Sequence, residues 1–309
     1  MELLAIMYHY VFASGAENPF GKMHYMPLAS FKNQVDHVLN AYEPVGVTDI
    51  ASFLSGKPWA KERPPVVFTF DDGLRCHYEN VFPFFKEKGI PGQFFIITST
   101  VVENAIPFVH KSHLLGNHLG DRGLRDRFLE VYQKDWGPVD LEKAAPMEKA
   151  VKTYRWDPPE IKQFKYFINF GLSDSVREKT MNELFRQCFG DGETLRKQFF
   201  MTKEDIVAMA GSGMEIGGHS HLHKPLSGLP VQERQADVNR CLSSLQEILG
   251  KRVRTFSYPY GKRETFDEVV IELLRTAGLT CAFSTIVGKN PPGTDCFMIR
   301  RLDPKDVNA

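Results

Sequence analysis

The sequence predicts an α/β protein built on a parallel sheet. Three observations lead there. Short, nearly continuous apolar runs of strand length recur along the chain; amphipathic helical stripes fall between most of them; and the alternation repeats about seven times. Such a sheet either closes into a barrel or opens as a doubly wound layer, and here it is interrupted once by a long helical block.

The strands are expected at Leu3–Tyr8, Val66–Phe70, Gln93–Ile97, Met214–Gly218, Val253–Ser257, Cys281–Thr285 and Phe297–Arg300, with a weaker one near Val45–Val47. Among the helices, Phe31, Val35, Val38 and Leu39 share a face behind a Ser30 cap. Pro83–Lys88 runs to a stop at Gly89. Thr202-x-x-Asp205 forms a capping box ahead of Ile206, Met209 and Ala210, with Gly211 as the stop. Val238, Cys241, Leu242, Leu245 and Leu249 make a stripe ending at Gly250. Thr265-x-x-Glu268 caps Val269, Val270, Leu273 and Leu274, ending near Gly278. From about Thr100 to Phe200 the signals are mostly helical, with Asp157-Pro158 as a cap and first-turn pair before Ile161, Phe164, Phe167 and Ile168. The expected organisation is a sheet unit over residues 1–301, interrupted by a helical insertion at 101–200, with 302–309 as a C-terminal tail. The insertion is expected to be a lid or a packing surface.

Composition narrows the function. The 309 residues carry 38 basic and 38 acidic side chains, and this balance argues against a general nucleic-acid binder. No apolar run is long enough to span a membrane, and the N-terminal MELLAIMYHY is a poor secretory signal, which predicts a cytoplasmic protein. The five cysteines are scattered without a CxxC pair, as expected of buried free thiols in a reducing compartment.

The polar outliers fall at strand ends. Asp71-Asp72-Gly73 follows the Val66–Phe70 strand, His219-Ser220-His221-Leu222-His223 follows Met214–Gly218, Tyr258-Pro259-Tyr260-Gly261 follows Val253–Ser257, and Tyr8-His9 ends the first strand. In parallel α/β folds the carboxyl ends of the strands form one rim, where sites are built. Each cluster alone has a bland reading: a turn, a solvated loop, a packing corner, a core histidine. Together they suggest two imidazoles and one carboxylate on a divalent metal, typically zinc, with an open position where a water becomes acidic. The adjacent carboxylate is then free to take the proton. His219 and His223 match one helical turn or a tight loop; in an extended segment His221 competes as a ligand and ranks below them.

On these residues the chain resembles the polysaccharide deacetylases, carbohydrate esterase family four. Thr69-Phe70-Asp71-Asp72-Gly73 matches the first motif, His219-Ser220-x-x-His223 the second, and Phe256-Ser257-Tyr258-Pro259-Tyr260-Gly261 looks like the third. The resemblance covers roughly residues 1–100 and 200–301. It implies a distorted (β/α) barrel of about seven parallel strands and removal of an acyl group from an N-acylated sugar. It further implies Asp71 as general base, Asp72, His219 and His223 as metal ligands, Ser220 holding the histidine loop, and the Tyr260 backbone N–H at the oxyanion. Two departures stand out. Ser257 occupies the place of the third-motif arginine, for which Arg300 or Arg301 could substitute, and no histidine follows His223. Some members that resemble circular permutants carry the late histidine near the N-terminus, and Tyr8-His9 fits that arrangement, with His9 as general acid.

The expected function is therefore metal-dependent removal of an acetyl or formyl group from a sugar nitrogen. The expected cofactor is a divalent metal, zinc first, and the expected substrate is a precursor of a cell-surface polysaccharide or lipopolysaccharide. The expected partner is this N-acylated sugar, with no nucleic acid. The rivals are a deacylase of a non-sugar amide, for which sugar-stacking aromatics such as Trp136, Trp156 and Tyr258 would discriminate, and a non-catalytic carbohydrate-binding relative.

Overall fold

The apolar runs pair side by side in chain order. In a computed structural model that describes residues 1–13, 20–21, 23–153 and 157–307, the sheet consists of β1 (Leu4–Tyr8), β2 (Pro65–Phe70), β3 (Gly92–Ile96), β4 (Glu215–Gly218), β5 (Thr255–Ser257), β6 (Cys281–Val287) and β7 (Ile299–Arg301). All neighbours are parallel, in the order β1 to β7. Past β7 the chain meets β1 again: Met7 N–H donates to Leu302 O at 3.0 Å and Leu302 N–H donates to Ala5 O at 2.8 Å. The seven strands thus form a distorted (β/α) barrel that is nearly closed.

Every residue of β2 and β3 is buried, as a strand covered on both faces requires. The period of two sorts their side chains. Ile6, Phe68, Phe70, Phe94 and Ile96 belong to the larger core cluster, packed with Phe31 and Val35 of helix α1 (Leu28–Ala41) and Phe82 and Phe85 of α3 (Phe82–Lys88). Ala5, Val67, Phe95, Phe283 and Ile299 form a second cluster with α2 (Val47–Leu54), whose Ile50, Phe53 and Leu54 pack against them. Gly217 admits no side chain there, because a Cβ would lie 2.4 Å from Thr255 Oγ1 and 2.7 Å from the Phe95 ring.

Local expectations fare unevenly. The Thr202 capping box opens α6 (Lys203–Gly211), and α7 (Val231–Leu249) ends on a left-handed Gly250. Three caps differ. α1 begins at Leu28 behind Pro27, because proline fixes the extended entry and Ser30 already lies inside the first turn. α8 (Glu268–Thr276) is capped by Asp267, whose carboxylate accepts from Val270 N–H, while Thr265 sits in a short 3₁₀ turn. Asp157 pairs with Lys165 at 2.7 Å, and Pro158 takes the cap position. The weak strand expected near Val45–Val47 falls slightly earlier: Glu43–Pro44 pair parallel with β2, Val45 N–H donates to Val66 O, and Val47 starts α2.

The chain divides into two compact units. One comprises residues 1–15, 25–105 and 196–309 and contains the barrel; the other comprises 16–24 and 106–195. In the second, a long helix, α4 (Phe108–Trp136), is kinked at Gly120 and packs on α5 (Asp174–Phe189). The buried side chains of this unit include Leu115, Phe128, Phe164, Met181 and Leu184.

Candidate active site

Asp71 continues the inward alternation of Val67 and Thr69 beyond the end of β2, and Arg301 continues that of Ile299 on β7. The two meet in the barrel. Arg301 is fully buried and clamps Asp71 with both terminal nitrogens, Nη1 to Oδ1 at 2.9 Å and Nη2 to Oδ2 at 2.7 Å. It also donates to Thr69 Oγ1 (3.1 Å), Ser257 Oγ (2.9 Å) and Ser284 O (2.7 Å). Burial pushes the Asp71 carboxyl up, but the Arg301 guanidinium, with His219 and His9, outweighs it and holds the carboxyl at about 2. Arg301, rather than Arg300, is therefore the arginine on Asp71, with Ser257 as one of its acceptors. Arg300 points elsewhere: it is exposed and its backbone pairs with Asn290.

Asp72 turns the other way. Its φ is +77°, and Gly73 follows at +69°, so two left-handed residues in succession swing neighbouring carboxylates apart. Asp72 Oδ1 lies 3.4 Å from His219 Nε2 and 3.5 Å from His223 Nε2. All three residues are buried, with one ligand atom of each within 4.8 Å of the others. His219 Nδ1 lies 2.7 Å from Ser257 O. A carbonyl only accepts, so Nδ1 donates to it and Nε2 is left facing Asp72. Burial pushes the His219 imidazole down, but Asp71 and Asp72 outweigh it and raise it. A buried carboxylate with two such imidazoles fits a divalent cation at an open three-ligand site.

The histidine loop is held in a demanding conformation. Ser220 and His223 both have positive φ, +61° and +56°, and Ser220 Oγ accepts from His223 N–H at 2.8 Å. Among the described residues five non-glycines have positive φ, and four of them, Asp72, Ser220, His223 and Tyr260, are at this rim. Strain of this kind gathers where the surrounding structure fixes a functional geometry. His221 turns away from the other two imidazoles; its ring contacts Thr98 and Glu103.

Tyr260 has a φ of +61°, and its ring packs on His223 at 5.0 Å between centroids while remaining 39% exposed. Gly261 beside it is obligatory, since a Cβ would meet Thr285 N at 2.6 Å. His9 follows β1, its side chain 40% exposed and its Nε2 4.0 Å from Asp72 Oδ2. His77 donates from Nε2 to His9 O at 2.5 Å, and Asp71 N–H donates to Tyr8 O. All four sequence clusters thus gather at the carboxyl ends of β1, β2, β4 and β5.

Of the aromatics named for sugar stacking, Tyr258 is buried, stacks on Phe266 at 3.9 Å and donates its O–H to Phe297 O, so it is a packing residue. Trp136 is partly exposed on α4, and Trp156 lies outside the described residues. Sequence reasoning missed Asp237, whose carboxylate accepts from His221 N–H (2.8 Å) and Leu222 N–H (2.9 Å). The signal was present: Asp237 shares the buried face of α7 with Arg234, Val238, Cys241, Ser244 and Leu245.

Comparison with known proteins bears on the family and the fold. The sequence profile described as polysaccharide deacetylase matches residues 60–161 and 178–282, more than half of the chain. Among solved structures, IcaB from Ammonifex degensii aligns with a TM-score of 0.59 at 20% identity, over 97% of this chain and 91% of that one. The Streptococcus pyogenes deacetylase PplD, in complex with acetate, aligns at 0.61 and 11%, over 99% and 96%. A de-N-acetylase from Aggregatibacter actinomycetemcomitans aligns at 0.52 and 20%, over 99% and 96%. No curated protein sequence matches.

Proposed function

This chain belongs to the polysaccharide deacetylase family, and on that premise we propose that it is a metal-dependent hydrolase removing an acetyl or formyl group from the nitrogen of an N-acylated sugar. Membership carries the coarser statement, a carbohydrate deacetylase. The finer reading is supported above all by two adjacent carboxylates with opposite partners, Asp71 on a buried arginine and Asp72 among imidazoles.

Asp72, His219 and His223 would hold the divalent cation, zinc by its preference for this donor set, and when bound it supplies Lewis acidity to the attacking water and the acyl oxygen. Asp71 is the general base. Arg301 keeps it ionised at every working pH, and about two of its four lone-pair sites remain to accept the water proton. As the new C–O bond forms, the Tyr260 backbone N–H donates to the oxyanion. His9, half exposed beside Asp72, protonates the nitrogen as the C–N bond breaks, leaving a carboxylate and an amine. The intact buried Arg301–Asp71 pair speaks against a non-catalytic relative, because the missing motif arginine has been replaced in kind.

The substrate we favour is a precursor of a cell-surface polysaccharide or lipopolysaccharide, met in the cytoplasm. The five cysteines are all free, which suits a reducing compartment. Among the described residues no helix is long and apolar enough to cross a membrane. A mass-spectrometric screen of N-acetyl and N-formyl sugars and sugar nucleotides, with and without chelator, tests the reading. Loss of the acyl group from one sugar class, stopped by chelator and restored by Zn²⁺, is expected. Turnover untouched by exhaustive chelation would sink the metal, and turnover of non-sugar amides alone would favour the rival deacylase.

A further inference from the structure

His221 sits between two metal-ligand candidates yet directs its ring to other partners. Nε2 is 2.9 Å from Glu103 Oε1 and Nδ1 is 2.9 Å from Thr98 Oγ1. An ionised carboxylate only accepts, so Nε2 donates to Glu103, while Nδ1 shares a hydrogen bond with the Thr98 hydroxyl. With both nitrogens engaged, this imidazole has no lone pair left for a cation.

The same segment of chain also holds the loop backbone. Thr98 N–H donates to Ser220 O at 3.2 Å and Ser99 N–H to His221 O at 3.1 Å. From the other side, the Asp237 carboxylate takes both His221 and Leu222 N–H. The loop needs such support, since Ser220 and His223 both hold left-handed backbone that a side chain disfavours.

We propose that Thr98, Glu103 and His221, with Asp237, form a brace that pre-sets His219 and His223 for cation binding, and that His221 is a positioning residue. The proposal rests on the metal reading above. Its physical content is that ordering the loop is done in folding, so cation binding does not have to supply it.

The test is Zn²⁺ affinity, measured by competition with a chromophoric chelator, together with the visible spectrum of the Co²⁺ form. The variants are Glu103→Ala, Glu103→Gln and His221→Ala. Glu103 has a side chain 45% exposed, so its truncation leaves no buried cavity and the fold is retained. Glu103→Ala and His221→Ala are expected to weaken Zn²⁺ binding roughly tenfold, towards the lower end for outer partners of a metal site. Glu103→Gln, whose amide oxygen still accepts from Nε2, should restore most of the affinity. Saturating Zn²⁺ should return kcat of all three variants to the wild-type value, and urea midpoints of Glu103→Ala in chelator should match wild type. A purely structural role would lower the midpoint and leave the affinity alone. Unchanged affinity in both alanine variants, with wild type binding one Zn²⁺, would overturn the brace only. Failure of wild type to bind would overturn the metal reading and the brace with it.

Discussion

Asp71 and Asp72 are adjacent in sequence and opposite in situation. Asp71 has a permanent cation built into the fold: Arg301 is buried, always charged and bidentate on it. Asp72 faces imidazoles whose rings lie 4.9 Å apart, with His9 further out towards solvent. A buried carboxylate without compensation is costly, and the two sides of the rim meet that cost differently. One does so with a guanidinium that never leaves, the other with donors arranged for a cation from outside. In the proposed mechanism this difference separates the roles, with the first carboxylate, held ionised by Arg301, as the proton acceptor and the second as a ligand.

The largest expected effect breaks this contrast at its centre. Asp71→Asn should keep stoichiometric metal while kcat falls by about 10³–10⁴-fold, the upper range for loss of a general base; near-normal turnover would end the assignment. Next comes Arg301→Met, which leaves Asp71 buried without its partner. Unfolding in urea at pH 7 should show a loss of about 3–5 kcal/mol. Its sign with pH follows from the lowered carboxyl. A group held at about 2 when folded, against 3.8 otherwise, stabilises the protein fully above the unfolded value, and that contribution is lost as pH falls through about 2. Without the guanidinium, burial pushes the carboxyl up, so the acid limb of kcat should move to higher pH. A limb that stays in place would show that Arg301 does not keep the base ionised. The smallest of the three is His9→Ala, expected to slow turnover by roughly 100-fold with metal content unchanged. A drop below about threefold would remove His9 from the acid role and leave the two carboxylate sides as the whole machinery.

Legibility followed the range of the forces involved. The strands of the barrel were readable because two-sided burial imposes long apolar runs, and Pro65–Phe70 and Gly92–Ile96 show that burial throughout. Caps were less readable where neighbours competed. Ser30 lost its place to Pro27, and Thr265 to Asp267, because several nearby residues could each end or begin a turn. The second unit was legible as helix and little more: its helical content is plain in the sequence, but with glycines at 116, 120 and 123 nothing local singles out Gly120 as the kink.

By itself, the sequence determined the chemistry-bearing positions at the ends of strands and the family they match, since those depend on residue type and short spacing. It also narrowed the replacement arginine to two neighbours. Only the tertiary structure decided between them, since alternation along a strand sends Arg301 inward and Arg300 out, and the register of a closing strand is set by partners far along the chain. It likewise decided that the His221 ring turns to Thr98 and Glu103 and that Asp237 accepts from the loop backbone, because those contacts join residues from separate elements that no local pattern connects.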